Sequence, residues 1–324
     1  MSTVSIKMAT MRVSDFMVDL SKKLVADKGI SESSANLYIK NLWTLNDKQP
    51  FGNLAFLKNT DAVDEKLSKY AESTKKTFLA SIVSVLSLYK TKATYKSVHQ
   101  HYYDKMMDKA KEMKNAESDD KTEKQKDNWV EWKDVTKIRD ELKADVESFA
   151  SNKLITPQQY NKLLSYVILS LYSEIPPRRN ADYADMFVVG KWNDKMDTSK
   201  NYLDMSTNKL IFNKYKTAKK YGMQSEEMPP TLVNAVTMYL KHHPLHKGKI
   251  TKTTEFRFLV YGDGSPLSAV NSITRVLNKI FGKKVGSSML RHIYLSNKYD
   301  IEDMKDTAEA MGHSVDEALR YAKA

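Results

Sequence analysis

The chain has 324 residues, a formal net charge of +12 at neutral pH and no cysteine. That length suits about two domains with separate cores, and the missing thiols exclude disulfides, thiolate metal sites and cysteine nucleophiles. A hydrophobic fraction of 41% excludes a disordered tail; with no long apolar run and no signal-peptide pattern in its first residues, the protein is expected to be soluble and intracellular, away from membranes.

In chain order, Ser14 is a cap for a helix with Phe16, Leu20 and Leu24 on one side, ending near Gly29. Ser31 caps a second, with Ala35, Tyr38, Leu42 and Leu45 on its stripe. Ser73 or Thr74 opens a third, carrying Phe78, Ile82, Val85 and Tyr89 inward, and Val98, Tyr102, Met106 and Met113 mark a fourth. Residues 1–115 are therefore expected to form a helical bundle with a lysine-studded exterior. Residues 116–127 contain no apolar side chain except Ala116, so they can bury almost nothing and read as a linker.

The second domain, residues 128–324, opens at Asn128-Trp129-Val130. Thr156-Pro157 starts a helix that is apolar on nearly every side from Leu163 to Tyr172 and runs into Pro176-Pro177-Arg178-Arg179. Strands are expected at 186–189 and 210–212, followed by a polar hairpin reaching Lys219-Lys220-Tyr221-Gly222, and at 258–261 before the Gly262-Asp263-Gly264 turn. The rest from Pro230 onward is helical in pattern. The expected fold class is mainly α with a small β-sheet: a helical bundle followed by a mixed α+β domain.

A pI near 9.3 suggests a polyanionic partner, although a lysine-rich composition drawn from an AT-rich genome gives the same balance. Arginine is the scarcer cation, eight against 44 lysines. Three of the eight stand in informative settings: Arg178-Arg179 after the two prolines, and Arg291 in Leu290-Arg291-His292. Near the end, Met311-Gly312-His313-Ser314 precedes Tyr321 at helical distance. Metal-free attack on a phosphodiester needs a nucleophile, cations for two nonbridging oxygens and a proton for the departing oxygen. Tyr321 suits the first task, Arg179 and Arg291 the second through bidentate guanidiniums, and His313 adds a hydrogen bond. Lys216 is the candidate acid, with Lys214, Lys219 and Lys220 as neighbours of the same chemistry. His242-His243-Pro244-Leu245-His246 is the one histidine cluster, but Pro244 breaks its alignment and Lys241, Lys247 and Lys249 repel a cation, so no metal site is expected.

These residues resemble the tyrosine recombinase and integrase family. Met311-Gly312-His313-Ser314 with Tyr321 is similar to that family's Leu-Gly-His-Ser and tyrosine ending, and Ser288-Met289-Leu290-Arg291-His292 to its His-x-Leu-Arg-His box. Arg179-Asn180-Ala181-Asp182 resembles the Arg-x-x-Asp/Glu box, which selects Arg179 over Arg178 and gives Asp182 the task of orienting it. Lys216-Thr217 is similar to the hairpin lysine, and residues 31–45 and 73–89 to the core-binding arm. The resemblance implies a C-shaped clamp on duplex DNA, a dimer or tetramer, and site-specific strand exchange through a 3′-phosphotyrosyl intermediate without cofactor or metal. It implies catalytic roles for Arg179, Lys216, Arg291, His313 and Tyr321, supporting roles for Asp182, Ser288 and His292, and DNA contacts from Arg178, Lys214, Lys219 and Lys220. Such genes are often carried by mobile elements or viruses.

Three departures accompany the resemblance. Ser288 stands where the family has a histidine, the interval from His313 to Tyr321 is one residue shorter than the common spacing, and only three residues follow Tyr321. Two alternatives stay in view: a type IB topoisomerase, which uses the same chemistry on one duplex, and, on the strength of Ser288 and the shortened interval, a DNA-binding relative that has lost activity and serves as an accessory factor.

Overall fold

The computed structural model describes residues 11–115, 121–267, 270–297 and 307–312. The chain divides into two compact units, residues 1–117 and 118–324. Among the described residues, helices dominate and five short strands form one mixed sheet, the fold class expected from the sequence. No described helix is long and apolar enough to cross a membrane.

The first unit contains α1 (Asp15–Lys28), α2 (Glu32–Leu45), α3 (Thr60–Ser68), α4 (Glu72–Leu86) and α5 (Ala93–Asn115). Ser14 caps α1 by accepting from the Met17 amide at 3.3 Å, and its hydroxyl donates to the Phe51 carbonyl at 2.6 Å, tying the helix start to a distant loop. Gly29 ends α1 at φ +62°, a left-handed conformation that suits glycine, and returns its amide to Val25. Ser31 caps α2 in the same way as Ser14 caps α1. Leu20, Leu24, Ala35, Leu42, Phe78, Ile82 and Val85 meet in one core. On α2 the inward residue is Ile39, with Tyr38 only partly buried. The phenol of Tyr102 is enclosed and donates to the Leu57 carbonyl at 2.9 Å.

Two details differ from expectation. Helix α4 begins at Glu72, because the Ala71 carbonyl accepts from the Thr74 amide at 2.8 Å and no side-chain cap is involved. Helix α3 is too short to show periodicity, with Val63 and Leu67 its only core residues; the Asn59 side chain caps it.

In the second unit, α6 (Glu123–Asn128) takes in residues of the segment expected to be a linker. It buries nothing and is held locally, by a reciprocal capping box between Thr122 and Gln125. Next come α7 (Trp132–Glu147), α8 (Pro157–Ser173) and α9 (Asn180–Ala184). Thr156 and Gln159 form a second capping box, with Pro157 at the first helical position. Every residue from Val167 to Ser173 is buried, as the apolar run predicted.

The strands are β1 (Met186–Val189), β2 (Asn201–Asp204), β3 (Lys209–Phe212), β4 (Gln224–Glu227) and β5 (Glu255–Arg257), with α10 (Ala218–Tyr221) between β3 and β4 and α11 (Pro230–Lys241) before β5. The sheet order is β4-β3-β2-β1-β5; β1 and β2 run parallel and the other pairs antiparallel. Strands β2 and β4 escaped the sequence reading. Strand β4 is Gln-Ser-Glu-Glu, an edge strand with no apolar residue, so backbone pairing to β3 defines it. The last strand lies at 255–257 rather than at 258–261, where Val260 makes only an isolated bridge to Pro266. Helices α12 (Val270–Phe281) and α13 (Ser287–Ser296) follow, and α8 packs against α7, α11, α12 and α13 as a central rod.

The histidine cluster is used for packing. His243 is enclosed, with Nε2 2.9 Å from the Phe258 carbonyl; His242 lies 2.9 Å from the Ala150 carbonyl, and His246 stacks on Phe256. Burial lowers His243 from an ordinary 6.5 to about 4. Between those values the unfolded chain binds more protons than the folded one, so this contribution is complete above pH 6.5 and is lost as pH falls toward 4. Urea unfolding at pH 5 should show about 2 kcal/mol less stability from this group than at pH 7.5. Subtracting the same pair of measurements on His243→Gln isolates that loss, and equal slopes in the two proteins would contradict it.

Candidate active site

Pro176 and Pro177 stop α8 after Glu174, since neither can donate the next helical hydrogen bond. The chain then crosses in extended form through Arg178 and Arg179 into α9, where Arg179 is the N-cap residue. The two neighbouring arginines have opposite fates. Arg178 is 2% exposed, lies over the Phe212 ring at 3.9 Å and the Tyr215 ring at 4.9 Å, and donates from Nε to Asp182 Oδ2 at 3.2 Å. Its Nη1 donates to Gln224 Oε1 at 3.0 Å and to the Ala310 carbonyl. Arg179 is half-buried, and its Nη1 is enclosed with no hydrogen-bond partner among the described residues.

This geometry corrects two expectations. Asp182 pairs with Arg178 and not with Arg179. Arg178, expected at the DNA surface, is an internal cross-link, because its side chain is enclosed between aromatic rings, a carboxylate and a backbone carbonyl. Burial raises the Asp182 carboxyl above its ordinary range, against the pull of the Arg178 and Arg179 guanidiniums.

Helix α13 carries the second arginine. Leu290, Ile293 and Leu295 anchor it, and Arg291 is 6% exposed on the same helix; His292 is half-buried and Ser288 is exposed in the first turn. Tyr172 of α8 holds the first arginine segment. Its hydroxyl donates to Asn180 Oδ1 at 2.7 Å, and Asn180 Nδ2 donates to Thr274 Oγ1 at 2.8 Å, fastening α9 to α8 and α12. Burial raises the Tyr172 hydroxyl well above its ordinary range, while the positive charge of Arg291 pulls it down, so Arg291 lies within electrostatic reach of the same group.

The lysines occupy the connection between β3 and β4. Lys214, Lys216, Lys219 and Lys220 are all exposed, and none forms an ion pair among the described residues. Their backbone is nevertheless held. Asn201 of β2 is buried; its Nδ2 donates to the carbonyls of Asp182 and Lys214, at 2.8 and 2.9 Å, while its Oδ1 accepts from the Lys214 amide at 2.8 Å. One asparagine thus joins the arginine segment to the lysine loop.

The residues that precede His313 in the chain dock on the same elements. Gln224 Nε2 donates to the Glu309 carbonyl at 2.8 Å, Arg178 to that of Ala310, and Thr217 Oγ1 to that of Gly312 at 2.6 Å. Gly312 has φ +67°, and a Cβ there would meet the Tyr215 ring at 3.0 Å, so only glycine sits here without strain. His313 and Tyr321 lie outside the described residues.

The motifs identified Arg179, Arg291 and the lysine loop but missed Asn201, Tyr215 and Gln224 and gave Thr217 no role of its own, although these four bind the pieces together. Thr217 beside Lys216 and Asn180 inside the arginine motif were visible as polar neighbours. Asn201 and Gln224 had no signal, since their partners are remote in sequence.

No protein-family model matches the chain, and no curated protein does. Among solved structures it is similar to a XerA recombinase, at 12% identity and a TM-score of 0.37, over 95% of this chain and 94% of that one.

Proposed function

We propose that the protein cleaves and rejoins duplex DNA through Tyr321, in site-specific strand exchange. The phenolate oxygen of Tyr321 attacks the scissile phosphorus and forms a P–O bond to the 3′ side of the strand. The P–O5′ bond breaks, its electron pair leaves with the 5′ oxygen, and that oxygen takes a proton from the Lys216 ammonium to become a free hydroxyl. Water accepts the proton the phenol loses. Arg179 and Arg291 hold the nonbridging oxygens as charge builds on them, and His313 adds a further hydrogen bond. Reversal with a different 5′ hydroxyl rejoins strands; the bond energy is conserved in the phosphotyrosyl link, so the chemistry needs neither nucleotide nor metal. Duplex DNA is the substrate, captured by both units, and exchange between two duplexes calls for a dimer or tetramer.

The observation that carries this reading is the convergence of three segments far apart in sequence. Asn201 bonds the arginine segment to the lysine loop, and Arg178, Thr217 and Gln224 bond both to residues 309–312. An enclosed guanidinium nitrogen of Arg179 has no partner there among the described residues, a donor suited to an anionic oxygen.

A library of nicked duplexes tests the proposal, because a short 5′-hydroxyl fragment diffuses away after cleavage and traps the covalent link. The expected result is a protein–DNA adduct that survives denaturing electrophoresis and is enriched for one sequence. Absence of an adduct across the library would refute strand cleavage; sequence-independent adducts with relaxation of supercoiled plasmid would favour a topoisomerase.

A further inference from the structure

Three side-chain donors from two parts of the second unit converge on a short run of backbone. Arg178 lies just before α9, whereas Thr217 precedes α10 on the lysine loop and Gln224 opens β4 at the loop's far end. Their acceptors are the carbonyls of Ala310, Gly312 and Glu309, all within four residues. These carbonyls lie at or just past the end of the helical turn at 307–310, where i+4 partners run out; that of Glu309 also accepts from the Gly312 amide at 2.8 Å. The donors are themselves interlocked, since Gln224 accepts from Arg178 through Oε1 while donating through Nε2. Tyr215 closes the set, its ring against both Arg178 and the Gly312 position and its hydroxyl donating to the Gly222 carbonyl at 2.7 Å.

We infer that Arg178, Thr217 and Gln224 form a latch that aligns the Lys216 loop and the Arg179 segment with the chain leading into His313 and Tyr321, making Arg178 a positioning residue for strand cleavage. The inference rests on the proposed chemistry, and adds to it residues that touch no DNA. A guanidinium is required at position 178: Nε serves Asp182 while Nη1 serves Gln224 and Ala310, a fork that a single lysine ammonium cannot reproduce. Thr217 has the shortest lever, because its neighbour in sequence is Lys216 and its acceptor is the residue before His313. Loss of that one bond lets acid and nucleophile segments shift against each other, and a displacement of about 1 Å at a reacting centre costs on the order of 100-fold in rate.

The test uses the full-length protein and a nicked duplex that wild type cleaves, measuring single-turnover adduct formation, DNA affinity and thermal unfolding together. Thr217→Val, nearly isosteric but without the hydroxyl, should lower the cleavage rate by about tenfold to 100-fold. DNA affinity should stay within about twofold, since no phosphate contact is removed. Thr217→Ser, which restores the donor, should recover most of the lost rate. Gln224→Ala should behave like Thr217→Val, and Arg178→Lys should lose at least as much. If Arg178→Lys fails to fold, the threonine pair and Gln224→Ala still decide the matter. Wild-type rates in both Thr217→Val and Gln224→Ala would overturn the latch and leave the cleavage chemistry standing. Equal losses in Thr217→Val and Thr217→Ser would also overturn it, because the hydroxyl would then not be the active element. A wild-type protein that forms no adduct with any duplex would instead overturn the proposed function, and the latch with it.

Discussion

Arg179→Ala is expected to slow strand cleavage by about two to three orders of magnitude, the usual effect of removing one preorganised donor from a developing oxyanion. Arg291→Ala should cost a similar factor. Arg179 caps α9 and Arg291 lies on α13; the Tyr172–Asn180 bond fastens α9 to α8, against which α13 also packs. Among the described residues Arg179 Nη1 is enclosed with no hydrogen-bond partner, so truncation breaks no hydrogen bond of that nitrogen. Binding should change far less than rate if, as proposed, the exposed lysines of the β3–β4 connection share the phosphate contacts. Single-turnover cleavage against equilibrium binding at fixed salt separates the two effects. A variant that cleaves at the wild-type rate removes that arginine from the phosphate clamp.

Asp182→Ala should act on stability first. Its carboxylate is the counter-ion of a guanidinium that is 2% exposed, and truncation leaves that cation buried without an anionic partner. Breaking a buried pair from one side costs about 3–5 kcal/mol. For a unit of this size that corresponds to a fall of roughly 10 °C in unfolding temperature. The consequence reaches beyond α9, because the same guanidinium bonds Gln224 and the Ala310 carbonyl. Had Asp182 oriented Arg179 instead, Asp182→Ala would spare stability and reduce only cleavage. Calorimetry beside the cleavage assay distinguishes these outcomes.

Local signals in the sequence were reliable where local physics governs. Ser14, Ser31 and Thr156-Pro157 each cap the helix they were expected to start, and the apolar run from Leu163 became the central helix. Elements defined by distant partners were not legible. Strand β4 has no apolar side chain, and it exists because β3 offers an edge. Asn201 showed no signal because its acceptors belong to residues 182 and 214. The exchange of roles between the two arginines has the same origin. The resemblance to the Arg-x-x-Asp/Glu box favoured Asp182 as partner of Arg179, but burial of Arg178 is decided by Phe212, Tyr215 and Ala310, all remote in sequence.

The central claim is that Tyr321 becomes joined to DNA. After incubation with a nicked duplex, nuclease digestion leaves a short nucleotide remnant on the modified residue, and peptide mass spectrometry locates it. The remnant is expected on the peptide containing Tyr321, linked through the phenolic oxygen to a 3′ phosphate, and Tyr321→Phe should bind the duplex with unchanged affinity while forming no adduct. An undiminished adduct in Tyr321→Phe, or a remnant on any other residue, would contradict the assignment of the nucleophile.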